Sequence, residues 1–360
     1  VSHAYNLQKP DLEAALKQHF GFSAFRPLQK EIISETLSGG DVLAILPTGG
    51  GKSICYQLPA LIREGLTLVI SPLIALMKDQ VDGLVENGIG AAYLNSSLDE
   101  ESARETWRRI YRGDIKILYL SPERLLLDGM IEKLVSLNLS FVAVDEAHCI
   151  SSWGHDFRPE YRALRKIRAS YPTIPILALT ASATERVRYD IVEMLGISEA
   201  KSFIASFNRP NLSYRVIPRI NPLKQIREIL DDHGDETGII YCLSRDRTES
   251  VAKELKEHGI KAAAYHAGLT AKEREKRQDQ FARDQVRVMV ATVAFGMGVD
   301  KPDVRFVIHH DLPKNIESYY QETGRAGRDG LPSECVLLYS SADSAKLWNF
   351  VEQASDPIER

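Results

Sequence analysis

Asp145 and Glu146 are adjacent acids that close an apolar run, residues 141–144. The carboxyl end of such a run, if it is a strand, is where open α/β sheets place their ligands. Two neighbouring carboxylates repel unless a cation binds them. Asp145 therefore suits a Mg²⁺ role, direct or through water, and Glu146 suits orienting an attacking water and taking its proton. The plainer alternative is a helix N-terminus carrying acids that suit its dipole. A few residues on, Trp153, Phe157 and Arg158 stand among Ser, Gly, His and Asp rather than in an apolar run. Aromatics so placed suit stacking on a base, with Arg158 adding a cation–π or phosphate contact. They could instead pack between domains. His148 and His155 lack metal-ligand spacing and read as hydrogen-bonding links, with His148 a candidate relay between the two halves of the loop.

Thr48, Gly49, Gly50, Gly51, Lys52 and Ser53 form a second constellation. Glycines let backbone N–H groups close around phosphate oxygens, and a helix N-terminus adds its positive end. Lys52 would reach the β- and γ-phosphates, and Ser53 would ligate Mg²⁺. The general pattern wants glycine six residues before the lysine, where this chain has Leu46. A third constellation is Gln321-Glu322-Thr323-Gly324-Arg325-Ala326-Gly327-Arg328. Two arginines three apart, fixed by small residues, suit clamping a transferring phosphoryl group, because the guanidinium fork stays charged. By itself this segment could also be an exposed basic turn.

Elements must hold these groups in place. Residues 42–46, 67–70, 115–120, 141–144 and 174–179 are near-continuous apolar runs and read as parallel strands covered on both faces. Residues 74–86 and 99–112 read as intervening helices. After a pause with turn chemistry at residues 206–211, alternation resumes with strands at 238–242, 262–265, 286–291, 304–309 and 334–338 and helices at 245–257 and 271–281. A helical lead-in occupies residues 11–20 and 27–37. The expected fold is α/β with two tandem domains, each a mostly parallel sheet flanked by helices. The expected boundaries are 1–205, 206–342 and a helical tail at 343–360.

The 360 residues suit two domains, and a 44% hydrophobic content allows each a full core. With a net charge of −4, nucleic acid would be met by a local patch rather than by a basic tail. The four cysteines are far apart, which argues against a zinc site or a disulfide framework and for reduced thiols in the core. No apolar run approaches the roughly 18 residues of a membrane helix. The start at Val1 lacks the pattern of a signal peptide and reads as trimmed. The expected compartment is the cytoplasm.

The motifs, in order, resemble superfamily 2 helicases: Phe25-Arg26-Pro27-Leu28-Gln29, the Thr48 to Ser53 loop, Ser71-Pro72-Leu73, Ser121-Pro122-Glu123-Arg124, Asp145 to His148 and Thr180-Ala181-Ser182-Ala183. Tyr265-His266-Ala267-Gly268, Ala291 to Asp300 and Gln321 to Arg328 follow. The aromatic loop narrows the resemblance to RecQ-type DNA helicases, over almost the whole chain.

The resemblance implies two RecA-like domains with ATP and Mg²⁺ in the cleft between them. It implies an adenine-reading role for Gln29, base contacts from Arg26 and Phe22, an arginine-finger role for Arg325 and Arg328 beside Gln321, and a place near the ribose for Asp300. It also implies that Trp153, Phe157 and Arg158 sense single-stranded DNA, and that Ser71, Arg124, Ser244, Arg245 and Thr292 touch its backbone. The implied activity is DNA-stimulated ATP hydrolysis and 3′→5′ translocation in repair and recombination. Single-stranded DNA and 3′-tailed duplexes are the implied substrates, a single-stranded-DNA-binding protein is a candidate partner, and the chain is expected to act as a monomer. Relatives usually continue into a cysteine-ligated zinc module and a winged helix. This sequence ends at Arg360 without a cysteine cluster and reads as a trimmed core or a short member. Rival readings are an RNA helicase of the same superfamily, an ATP-controlled clamp that does not unwind, and a P-loop enzyme acting on a small molecule.

Overall fold

A computed structural model describes residues 10–72, 74–95, 98–154, 157–296 and 301–343. The chain divides into two compact units, Val1–Phe207 and Asn208–Arg360. Residues 344–360 of the expected tail at 343–360, together with Asp300, Leu73 and His155, lie outside the described residues.

The first unit's strands are β1 (Val42–Ile45), β2 (Leu66–Ile70), β3 (Ala91–Leu94), β4 (Ile117–Leu120), β5 (Leu139–Val144), β6 (Ile176–Thr180) and β7 (Lys201–Ile204). Among the described residues they form one sheet of order β3-β4-β2-β5-β6-β1-β7, and every pairing is parallel. Alternate side chains enter two separate cores. Leu43, Leu68, Leu118, Val142 and Ile176 pack on one face, and Val42, Val69, Tyr119, Phe141 and Leu177 on the other. This double burial is why the strands read as unbroken apolar runs.

The second unit repeats the plan with β8 (Leu212–Pro218), β9 (Gly238–Tyr241), β10 (Ala262–Tyr265), β11 (Val288–Ala291), β12 (Phe306–His309) and β13 (Ser333–Tyr339). Their order is β10-β11-β9-β12-β13-β8, again with parallel pairing. Ile240, Val290, Phe306 and Val336 face one core; Ile239, Met289, Val307 and Cys335 face the other. Gly238 lets the central strands fit, since a Cβ there would lie 2.0 Å from the Phe306 ring.

Helices fall close to where the sequence places them: Ile74–Glu86, Glu100–Arg112, Arg245–Glu257 and Ala271–Ala282. Asp99, Ser244 and Thr270 accept backbone N–H groups at three of their starts, relieving donors the first turn leaves unpaired. The lead-in helix expected from residue 27 begins at Gln29 instead. The cause is Leu28, whose φ of 67° is left-handed and cannot continue a helix. The lead-in helices pack through Leu12, Leu16 and Ile33 onto Ile54 and Leu58.

Candidate active site

The chemistry-bearing residues of the first unit cluster where strands end. Residues 46–53 follow β1, Ser71 follows β2, Ser121 follows β4, Asp145 follows β5, and Thr180 ends β6. All these strands run parallel, so their carboxyl ends share one edge of the sheet.

The Thr48 to Ser53 loop leads straight into the helix Ile54–Ile62. Gly49 and Gly51 have φ values of 77° and 74°, which a residue with a Cβ adopts only under strain. The Gly50 N–H donates to the Pro47 carbonyl at 2.8 Å. The Gln29 amide closes one side of the loop. Its Nε2 donates to the Gly51 carbonyl at 2.9 Å, and its Oε1 accepts the Arg26 N–H at 2.8 Å. Gln29 is itself buried, whereas Phe22 is 54% exposed, free to meet a flat ring.

Asp145 is buried, and burial, then Glu146, push its carboxyl up to about 7 against the opposing pull of Lys52 and the Glu146 N–H. Tyr161 donates to the Asp145 carbonyl at 3.0 Å, holding the strand end from beneath. Glu146 has φ 47° and ψ 47°, left-handed for a residue with a full side chain, and costs on the order of 1–3 kcal/mol in backbone strain. His148 Nδ1 lies 2.8 Å from Thr180 Oγ1 and 3.3 Å from Glu146 Oε2. Thr180 gives its own hydrogen to the Ser182 carbonyl at 3.0 Å, so its oxygen accepts from His148 and the imidazole carries its proton on Nδ1. That proton serves Thr180, and Glu146 Oε2 has no hydrogen bond among the described residues although it is buried. Buried Asp145 and half-buried Glu146 thus form an acidic pair short of positive charge. This fits a divalent cation held by Asp145 and Ser53, with Lys52 beside it.

The aromatic loop is fastened to the same edge. Ser151 donates to Asp190 at 2.6 Å and accepts the Trp153 N–H at 3.1 Å. Gly154 turns the chain tightly, since a Cβ there would lie 2.2 Å from the His148 carbonyl. Trp153 is 51% exposed. Phe157 is half-buried under the Arg162 guanidinium, 4.9 Å from its centroid. Arg158 donates to the Pro72 carbonyl at 3.1 Å, tying the loop to the turn after Ser71. Ser71 is buried, and its hydroxyl lacks a partner among the described residues. The Arg124 N–H donates to Ser121 Oγ at 3.3 Å, so Arg124 sits in a capped single turn, Pro122–Leu125.

In the second unit, Ser244 caps the helix that Arg245 begins, and the Thr292 N–H donates to the Tyr265 carbonyl at 3.1 Å. Gln321 is half-buried in the helix Ile316–Thr323. Arg325 is buried, with its Nε unpartnered among the described residues, beside Gly296 and the Tyr241 hydroxyl. Arg328 follows in the same turn. Cys242, His310 and Asp311 bring possible ligand atoms within 4.8 Å of one another. Asp311 is already engaged. It accepts from Arg219 at 2.9 Å and from the Leu243 N–H at 3.1 Å, and His310 Nδ1 lies 3.0 Å away. Burial works against these partners, yet they hold its carboxyl far below the usual range. The cluster fastens the turn that leads to Ser244.

Several supporting residues have no signal near the motifs they serve. Ser151 and Asp190 are 39 positions apart. Thr180 stands inside a recognised motif, but its bond to His148 spans 32 positions.

The comparisons follow this geometry. Residues 26–190 match the DEAD/DEAH box helicase model, and residues 221–330 match the helicase conserved C-terminal domain. The chain is 48% identical over 354 residues to "ATP-dependent DNA helicase RecQ" of Haemophilus influenzae, covering 98% of this chain and 57% of that protein. The chain belongs to the RecQ-type DNA helicases. The protein of the same name from Pasteurella multocida is 50% identical over 341 residues, 95% of this chain and 54% of its own length. The RecQ-type chain thus spans just over half the length of these relatives. Its fold is that of tandem RecA-like helicase domains. The Mycobacterium smegmatis helicase Lhr, solved with single-stranded DNA and AMP-PNP, superposes with a TM-score of 0.72 at 21% identity, over 90% of this chain and 47% of that one.

Proposed function

We propose that the chain is the motor core of an ATP- and Mg²⁺-dependent DNA helicase that moves 3′→5′ on single-stranded DNA and opens 3′-tailed duplexes in repair and recombination. The loop at residues 48–53 binds the ATP phosphates, with Gln29, Arg26 and Phe22 at the base and Asp300 at the ribose. Asp145 and Ser53 hold Mg²⁺, which neutralises phosphate charge. Glu146 orients the water and accepts its proton. Gln321, Arg325 and Arg328 stabilise the transferring phosphoryl group. DNA meets Trp153, Phe157 and Arg158, and its backbone meets Ser71, Arg124, Ser244, Arg245 and Thr292. A single-stranded-DNA-binding protein is the partner we expect, with the chain working as a monomer at the bacterial nucleoid, in the cytoplasm.

One observation carries this reading. The strained Glu146 and the exposed Trp153 lie seven residues apart on one anchored loop. The buried 3-10 turn Ala147–Ile150 joins them. A base that stacks on Trp153 would act through a short, packed lever on the backbone that aims Glu146. Trp153→Ala is expected to lose DNA-stimulated ATP hydrolysis more than DNA affinity, measured by steady-state turnover and by anisotropy with labelled oligonucleotides. Weakened affinity with intact stimulation at saturating DNA would sink the coupling. Matched DNA and RNA oligonucleotides separate this reading from an RNA helicase, because stacking does not read the sugar whereas 2′-OH contacts do.

A further inference from the structure

We infer that Arg209 and Asn211 are positioning residues that set the geometry of Arg325 and Arg328. The inference rests on the role proposed above for those two arginines.

Arg209 follows the boundary between the two units by two residues. Its Nη1 donates to the Gly324 carbonyl at 2.9 Å, and its Nη2 donates to the Gly327 carbonyl. These two carbonyls bracket Arg325. Asn211 Nδ2 donates to the Gly327 carbonyl at 2.9 Å and to the Leu331 carbonyl at 3.0 Å, on the far side of Arg328. The Ser333 N–H returns a bond to the Asn211 carbonyl at 2.9 Å. The connecting chain is therefore tied to the arginine turn just before β8 begins at Leu212.

The turn depends on outside support. Gly327 has φ 54°, and a Cβ there would lie 2.4 Å from Asn211 Nδ2 and 2.8 Å from the Leu331 carbonyl. The carbonyls of Gly324 and Gly327 point to Arg209 and Asn211. A planar guanidinium can span two carbonyls at once, whereas an ammonium is a point donor. Arg325 sits buried beside the Tyr241 hydroxyl, to which its side chain is hydrogen-bonded, and its Nε donor has no partner among the described residues. Electrostatic stabilisation of a transferring group needs donors placed in advance, and a displacement of about 1 Å can cost on the order of 10²-fold in rate.

The test uses the full chain with saturating DNA and measures kcat and KM for ATP separately. Arg209→Lys keeps the charge but loses the two-carbonyl span. Asn211→Asp keeps the shape but sets an acceptor against two carbonyls. Each is expected to lower kcat on the order of 10–100-fold with KM little changed. In an Arg325→Lys, Arg328→Lys background the same substitutions are expected to change kcat no further, because the groups they place are already gone. Unchanged kcat in Arg209→Lys overturns the inference. So does a loss that multiplies in the double background, or one that appears as a raised KM with a lowered melting temperature. If Asn211→Asp does not fold by circular dichroism, Asn211→Ser supplies the same readouts. Full turnover in the arginine double variant would instead overturn the role assigned to Arg325 and Arg328.

Discussion

Glu146 combines three unusual properties in one residue: a left-handed backbone, a buried oxygen without a hydrogen bond, and a protonated imidazole nitrogen within 3.3 Å that is committed elsewhere. A carboxylate held this way keeps an acceptor for a water's proton. Glu146→Gln preserves the shape and removes the basicity. Loss of a general base is expected to lower kcat for ATP by roughly 10²–10⁴-fold with KM little changed, and steady-state kinetics at saturating DNA decide it. An unchanged kcat would remove this carboxylate from the chemistry. Much of the residue-level reading was open in the sequence, because Asp145, Glu146, Lys52 and the two arginines sit in short, local patterns. Their supports were not. The bonds from His148 to Thr180, from Tyr161 to Asp145 and from Arg209 to Gly324 join residues 16 to 115 positions apart. No local spacing encodes them.

At the scale of elements, sequence legibility followed burial. Strands covered on both faces, such as β1, β5 and β12, were visible as apolar runs. The strands β7 and β8 were not, since they lie at sheet edges and most of their side chains are exposed. The central strands of the second unit carry a testable fit. At Gly238 a new Cβ would stand 2.0 Å from the Phe306 ring, which is fully buried. Gly238→Ala must push aside that ring or the strand, and overpacking of this kind costs roughly 1–3 kcal/mol. Urea denaturation is expected to show an earlier midpoint with little change in slope, and an unmoved midpoint would mean that the sheet gives way freely.

For the whole molecule, each unit has its own pair of apolar cores, one on either face of its sheet. Ligand linkage then gives a direct assay of nucleotide binding. A ligand that binds only folded protein at about 100 times its Kd adds roughly 2.7 kcal/mol of stability. A non-hydrolysable ATP analogue with Mg²⁺ is expected to raise the melting temperature, and Lys52→Ala is expected to lose most of that shift while keeping its secondary structure by circular dichroism. An equal shift in the variant would show that Lys52 does not hold the phosphates. Among the described residues no helix is long and apolar enough to cross a membrane.

The backbone at Glu146 also sets durability against output. A glycine would adopt φ 47° without the crowding that a Cβ suffers there, which is worth about 1–2 kcal/mol. Selection for heat resistance alone would therefore favour erasing the carboxylate. On the role proposed for Glu146, a laboratory screen that ranked variants of this chain by survival after heating would enrich inactive variants at this position, so any programme of thermal improvement must score turnover in the same round.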